Sequence, residues 1–116
     1  MNWKQLTDQA QLDGIREASK APGLKGIAIF KHSTRCSISS TAKARLERQW
    51  NFDEAELPIY YLDLLRHRNI SNQIASDFGV YHESPQLLLV KDGEVVYHAS
   101  HFGIDARDLA KALGQA

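Results

Sequence analysis

The chain has 116 residues, fourteen basic and fourteen acidic side chains, and a single cysteine. This length predicts one domain, residues 1–116, with a sizeable buried core. Balanced charge and the absence of a long apolar run argue against nucleic acid and membrane as partners. A lone cysteine cannot form an intramolecular disulfide, and the N-terminal residues lack a secretory pattern, so we expect a cytoplasmic protein.

The first half of the chain alternates predicted helices and strands. Leu6–Ser19 is predicted to be partly helical and to end at Ala21-Pro22-Gly23. Gly26–Phe30 is apolar throughout, which is typical of a strand covered on both faces. Between Ser37 and Trp50 apolar side chains recur every four residues, which predicts a helix.

The second half continues this alternation and then adds a hairpin. Its predicted elements are a strand at Pro58–Leu64, a helix at Ser71–Phe78 stopped by Gly79, strands at Gln86–Val90 and Glu94–Ala99 joined by Lys91-Asp92-Gly93, and a helix at Asp105–Leu113. Strands separated by helices imply parallel crossovers, and the hairpin adds antiparallel strands. We therefore predict an α/β, thioredoxin-like fold with a mixed central sheet of at least four strands and helices on both faces.

Cys36 lies where the first predicted strand gives way to a helix. The backbone N–H groups of a first helical turn are unpaired and partly positive, which stabilises a thiolate. Lys31 and Arg35 could add positive charge. Free cysteines often serve as small buried apolar residues, but the polar neighbours Arg35 and Ser37 argue against that here. Cys36 is the candidate nucleophile.

Ser39 stands where a second cysteine would complete a Cys-x-x-Cys motif. Serine cannot resolve a mixed disulfide, so a second thiol must come from outside the chain. The serines also suit helix N-capping, which we favour for Ser40. The hydroxyl of Ser39 could both help the helix begin and bond to the Cys36 sulfur.

Pro85 directly precedes an apolar strand. Such a proline is either in a cis peptide bond that leaves the Ser84 backbone free to pair with a peptide, or an ordinary trans proline at the start of an edge strand. His32 and His82 could approach Cys36 and favour its thiolate. No histidine pair has close metal-ligand spacing, so we expect no metal site.

The segments FKHSTRCSIS and RNISNQIASDFGVYHESPQLLLVKDGEVVYHASH resemble the YtxJ-type family of thioredoxin-like proteins, the monothiol bacilliredoxins. The resemblance covers about Gly26 to His101. It implies that Cys36 is the nucleophile, that Pro85 is the cis proline, and that bacillithiol is removed from S-thiolated client proteins. Thr34, Arg35, Ser37 and Ser39 would surround the sulfur, and the Ser84 backbone would donate and accept hydrogen bonds.

The resemblance further implies no tightly bound cofactor, with bacillithiol or another small thiol as co-substrate. The family usually has proline after the cysteine. Ser37 stands there in this chain and restores an N–H donor, so we expect a changed thiol pKa with activity retained.

Two other functions agree with the same residues. Cys-x-x-Ser also occurs in monothiol glutaredoxins that bridge an iron–sulfur cluster, although Ser37-Ile38 replaces their Gly-Phe pair. A redox-inert adaptor that binds partners through Ser84 and Pro85 would have a slowly reacting Cys36. The sequence is compatible with a monomer or a weak dimer.

Overall fold

The computed structural model of the protein describes residues 1–114. Its elements in chain order are β1 (Trp3–Gln5), α1 (Gln9–Ala18), β2 (Ile27–His32), α2 (Ser37–Gln49), β3 (Ile59–Asp63), α3 (Arg68–Phe78), β4 (Gln86–Lys91), β5 (Glu94–Ser100), a 3-10 turn (His101–Gly103) and α4 (Ala106–Ala112). No helix within residues 1–114 is long and apolar enough to cross a bilayer.

The strands form one mixed sheet in the order β1-β3-β2-β4-β5. β3 pairs in parallel with β1 and β2, while β4 is antiparallel to both β2 and β5. The predicted mixed sheet is confirmed, with one strand more than its stated minimum. That additional strand, β1, has only three residues, Trp-Lys-Gln, so the sequence carried no alternation by which to recognise it.

Alternate side chains of β2 enter two different cores. Ile27 and Ile29 belong to a core that includes residues of α1 and α3. Ala28 and Phe30 belong to a second core that includes residues of α2 and α4. Helices therefore cover both faces of the sheet, and the fully buried β2 lies between them. This follows from the two-residue side-chain period of a strand.

Several predicted boundaries needed correction. β2 continues through Lys31 and His32, because both side chains are buried by neighbouring elements despite their polarity. α3 begins at Arg68, three residues before the predicted Ser71. The N-cap of α2 is Cys36, so Ser40 lies inside the helix and its predicted capping role is wrong.

The β4–β5 hairpin has the predicted tight turn. Asp92 and Gly93 connect the strands, with φ values of 54° and 80°. Positive φ at both central residues matches the right-handed twist of the flanking strands, which explains the Asp-Gly pair. Because β4 runs antiparallel to β2, the hairpin lies at the end of the sheet where β2 begins. The carboxyl end of β2 lies at the opposite end of the sheet.

Candidate active site

Cys36 lies at the junction between β2 and α2. Its backbone is extended, with φ −110° and ψ 120°, and it is the N-cap residue of α2. A turn supports this position, because the Cys36 N–H donates to the Ser33 carbonyl at 3.2 Å. The side chain is partly exposed and its thiol is free. The sulfur therefore lies beside the unpaired amides of the first helical turn and remains open to solvent.

The pKa of the Cys36 thiol is lowered. The main cause is the backbone N–H of Ser39, and smaller contributions come from the Ile38 N–H and the Ser39 hydroxyl, while burial opposes them. The side chain makes no capping hydrogen bond in this structure. The amides instead favour the charged form, as expected at a helix N-terminus.

The serines around Cys36 have different environments. Ser39 is fully buried and its Oγ accepts a hydrogen bond from the Ser33 N–H at 3.4 Å. Ser40 donates back to the Cys36 carbonyl at 3.5 Å. Ser37 is exposed, and its amide is not among the groups that lower the thiol pKa. The expected pKa change caused by Ser37 in place of proline therefore has no support in the structure.

Ser84 and Pro85 lie at the same end of the sheet as Cys36. The peptide bond between them is cis. β4 begins with Gln86 opposite Lys31 of β2, so Pro85 is next to the end of β2. Pro85 is buried and its carbonyl accepts the His101 N–H at 3.0 Å. The Ser84 Oγ is buried without a hydrogen-bond partner within residues 1–114.

Lys31, His32 and His82 do not contribute to the lowered pKa of Cys36. Lys31 is completely buried, and its Nζ is 3.3 Å from the His82 Nδ1. Burial lowers the pKa of Lys31 to about 8. None of the three side chains is thus a cause of the lowered thiol pKa, and their role in tuning the thiolate stays a prediction.

His32 is buried among aromatic rings. Its ring centroid is 5.7 Å from Phe30 and 5.3 Å from Tyr61, and its Nδ1 lacks a partner in the described part of the chain. The pKa of His32 is lowered by burial and then by Lys43, against opposing contributions from Asp63 and the Ser39 backbone. Burial between these rings thus favours the neutral form of His32.

Thr34 and Arg35 are exposed in the turn before Cys36, where they can contact a molecule that reaches the sulfur. Within residues 1–114 no three His, Cys, Asp or Glu side chains are grouped to hold a metal ion. Sequence reasoning predicted a thiolate stabilised by first-turn amides without naming those of Ser39 and Ile38, and it missed the buried contacts of Lys31. No sequence signal identifies either, because both depend on the backbone path and on neighbouring elements.

Known proteins resemble this chain in sequence and in fold. The family model for monothiol bacilliredoxin BrxC matches residues 4–109. A solved structure of a proposed oxidoreductase with a thioredoxin fold is 30% identical, with 94% of this chain and 91% of that chain covered and a TM-score of 0.77.

Thioredoxins of lower identity share the fold. The Malassezia sympodialis protein is 15% identical and the Schistosoma mansoni protein 16% identical, each with a TM-score of 0.71. Each match covers 97% of this chain, and 89% and 99% respectively of the thioredoxin chains.

The fold and the single helix-start cysteine define a thioredoxin-fold protein of the thiol oxidoreductase class. Within that class, the chain belongs to the monothiol bacilliredoxin BrxC family.

Proposed function

We propose that this protein removes a low-molecular-weight thiol, bacillithiol or a chemically similar one, from S-thiolated proteins in a reducing cytoplasm. The observation that carries the proposal is the position of Cys36 at the N-terminus of α2, where backbone amides lower the thiol pKa. A thiolate is the attacking species in disulfide exchange. Ser39 replaces the second thiol that would allow resolution within the chain.

The reaction consists of two disulfide exchanges. The Cys36 thiolate attacks the small-thiol sulfur of the client's mixed disulfide. A new bond joins Cys36 to the small thiol, the client disulfide breaks, and the client cysteine leaves as a thiolate that takes a proton from water. A second small thiol then attacks the adduct, which releases Cys36 as a thiolate and a disulfide of two small thiols. Electrons balance without any further reductant.

The residues around Cys36 have distinct proposed roles. Ser39 and Ile38 stabilise the thiolate that attacks and the thiolate that later leaves. Exposed Thr34 and Arg35 contact the small thiol, whose carboxylates would suit the Arg35 guanidinium. Ser84 precedes Pro85 beside the end of β2, and its backbone pairs with the client chain.

Intact mass spectrometry tests the proposed reaction. Reduced protein is incubated with a bacillithiol mixed disulfide and then with excess bacillithiol, with Cys36→Ser as the control. An adduct of bacillithiol mass on the native protein alone, which excess thiol removes, is the expected result.

The redox-inert adaptor gives a different result in the same experiment. In that case Cys36 stays unmodified by the mixed disulfide, although a small alkylating reagent still reaches it. This outcome would reject the oxidoreductase function, because a reachable thiol would then have failed to exchange.

A further inference from the structure

Lys31 is a charged side chain without exposed surface, and the proposed reaction does not use it. Its Nζ donates to the Ser71 carbonyl of α3 at 3.2 Å and lies 3.3 Å from the His82 Nδ1. The Ser71 Oγ is 3.1 Å from the same ring nitrogen. Burying an ammonium is costly unless partners compensate for lost water, so this arrangement calls for an explanation.

The donors around His82 determine its protonation. A lysine ammonium carries only donors, so Nδ1 must accept from Lys31 and therefore has no proton. The Ser71 hydroxyl can share the same acceptor. A charged Lys31 in this position thus favours the neutral His82 tautomer that carries its proton on Nε2. Through its contact with Lys31, the His82 ring connects the segment after α3 to the end of β2.

Gln86 holds the same segment at a second point. It pairs with Lys31 across β2 and β4, so both side chains lie on one face of the sheet. Gln86 Nε2 donates to the Tyr81 carbonyl at 3.0 Å. The Tyr81 side chain itself is 91% exposed and contributes little packing. Two contacts from the buried side chains of Lys31 and Gln86 thus hold residues 81 and 82, and only Glu83 separates these from Ser84.

We propose that Lys31 is a positioning residue, which holds the segment Tyr81–Ser84 through His82 so that the Ser84 backbone is presented to a peptide chain of the client. This inference rests on the proposed function, because pairing of the client at Ser84 belongs to it. Lys31 acts on substrate binding through the segment and leaves the chemistry of the Cys36 sulfur unchanged.

The contact between Lys31 and His82 depends on pH. The charged groups that face His82 are Lys31 from β2, Arg68 from α3 and Glu83 from its own segment. Burial first, and then Lys31 and Arg68, lower the pKa of His82, while Glu83 opposes them. Protonated Nδ1 cannot accept a hydrogen bond. The segment is therefore held at neutral pH and released in acid.

Kinetics with two substrates test the positioning role. One substrate is a peptide with a single S-bacillithiolated cysteine, and the other is bacillithiol disulfide, which has no peptide backbone. For the peptide, Lys31→Met is expected to lower the second-order rate constant about tenfold, the effect of losing one hydrogen bond to a charged group. The rate with bacillithiol disulfide should be unchanged. Lys25→Met, which removes an exposed ammonium paired with Glu56, is the matched control.

The variant His82→Asn tests whether protonation of His82 causes the pH dependence. Asparagine can offer an acceptor near the position of Nδ1 but cannot be protonated. In the wild type, the ratio of the peptide rate to the small-disulfide rate should fall as acid protonates His82. In His82→Asn the ratio should stay flat. A ratio that falls equally in both proteins overturns the assignment.

Amide hydrogen exchange of the free protein separates the two proposals. Lys31→Met should speed exchange in residues 81–84, while Lys25→Met should not. If the wild type reacts with neither disulfide, the proposed function fails, whereas the exchange result still decides whether Lys31 holds the segment. Unchanged exchange, or equal rate losses with both substrates, overturns the positioning role.

Discussion

At the level of single residues, backbone amides are the main cause of the lowered pKa of the Cys36 thiol. The Ser39 N–H is the largest cause of its lowered pKa, followed among the favourable contributions by the Ile38 N–H and the Ser39 hydroxyl. Lys31, the one lysine of the preceding strand, is directed into the protein and contacts Ser71 and His82. Helix geometry is therefore more important here than neighbouring charge.

Replacing the Ser39 hydroxyl tests this conclusion. Ser39→Ala should raise the pKa of Cys36 slightly and leave it below the ordinary value, because the backbone donors remain. The pH dependence of alkylation by iodoacetamide measures the pKa. Ser40→Ala is the control, since within residues 1–114 the Ser40 Oγ bonds to the Cys36 carbonyl and to no other group. A pKa in Ser39→Ala at or above that of a free cysteine would show that the hydroxyl dominates.

The buried ammonium of Lys31 should leave a signature in the pH dependence of stability. Its pKa falls from 10.5 to about 8 on folding, so the unfolded chain binds more protons between these values. Stability should consequently rise with pH across that window by about 3 kcal/mol at most, and the penalty should be complete below pH 8.

Lys31→Met removes this titration. Urea unfolding between pH 7 and pH 10 should show the rise in the wild type only, and tyrosine ionisation cancels in the comparison. At pH 7 the variant should be as stable as the wild type or more so, because an apolar side chain replaces a buried charge. Parallel curves for the two proteins would contradict a buried, charged Lys31.

At the level of elements, close packing against β4 leaves no room for a side chain at the residue before β2. Gly26 directly precedes β2, and a Cβ there would lie 2.7 Å from Leu89 Cδ1 and 3.1 Å from the Val90 carbonyl oxygen of β4. For Gly14, within α1, no atom of residues 1–114 lies within 4 Å of the Cβ position, apart from its chain neighbours and the backbone of its own helix. A methyl group would therefore collide with β4 at Gly26, whereas at Gly14 there is room for it.

Alanine substitutions should separate these sites. Gly26→Ala should lower the free energy of unfolding by about 1–3 kcal/mol through overpacking against β4. Gly14→Ala should raise it by about 0.5–1 kcal/mol, since alanine is the better helix residue. Chemical denaturation measures both changes. Equal destabilisation by the two substitutions would contradict the close approach at Gly26.

At the level of the whole molecule, contacts distant in sequence join the parts of the site. The Arg45 Nη1 of α2 donates to the carbonyls of Phe102 and Ile104, at 3.2 and 3.1 Å. The same segment bonds to Pro85 through the His101 N–H. The helix that begins at Cys36 and the strand that begins after Pro85 are thereby connected through residues 101–104.

Removing Arg45 should loosen this connection. Arg45→Ala is expected to speed hydrogen exchange of the His101 amide and to reduce stability by about 1–2 kcal/mol, through loss of two charge-assisted hydrogen bonds. Arg48→Ala, at an exposed position of the same helix, is the control. Equal exchange at His101 in both variants would assign the connection to other contacts.

The sequence by itself determined the order of most elements and the place of Cys36. Three local patterns indicate the local backbone structure directly. They are the apolar run at Gly26–Phe30, the four-residue period of α2 and the Asp-Gly turn. Cys36 was identifiable because a helix start is visible in the sequence and because Ser39 occupies the position of the second thiol.

Tertiary structure alone decided what surrounds these residues. β1 exists because β3 offers it a partner, and its three residues are too few to show a strand period. Lys31 looks like the polar end of a strand, yet α3 and the segment before Pro85 cover it completely. Burial, and the pKa and hydrogen bonds that depend on it, is a property of several elements packed together, so no short stretch of sequence contains it.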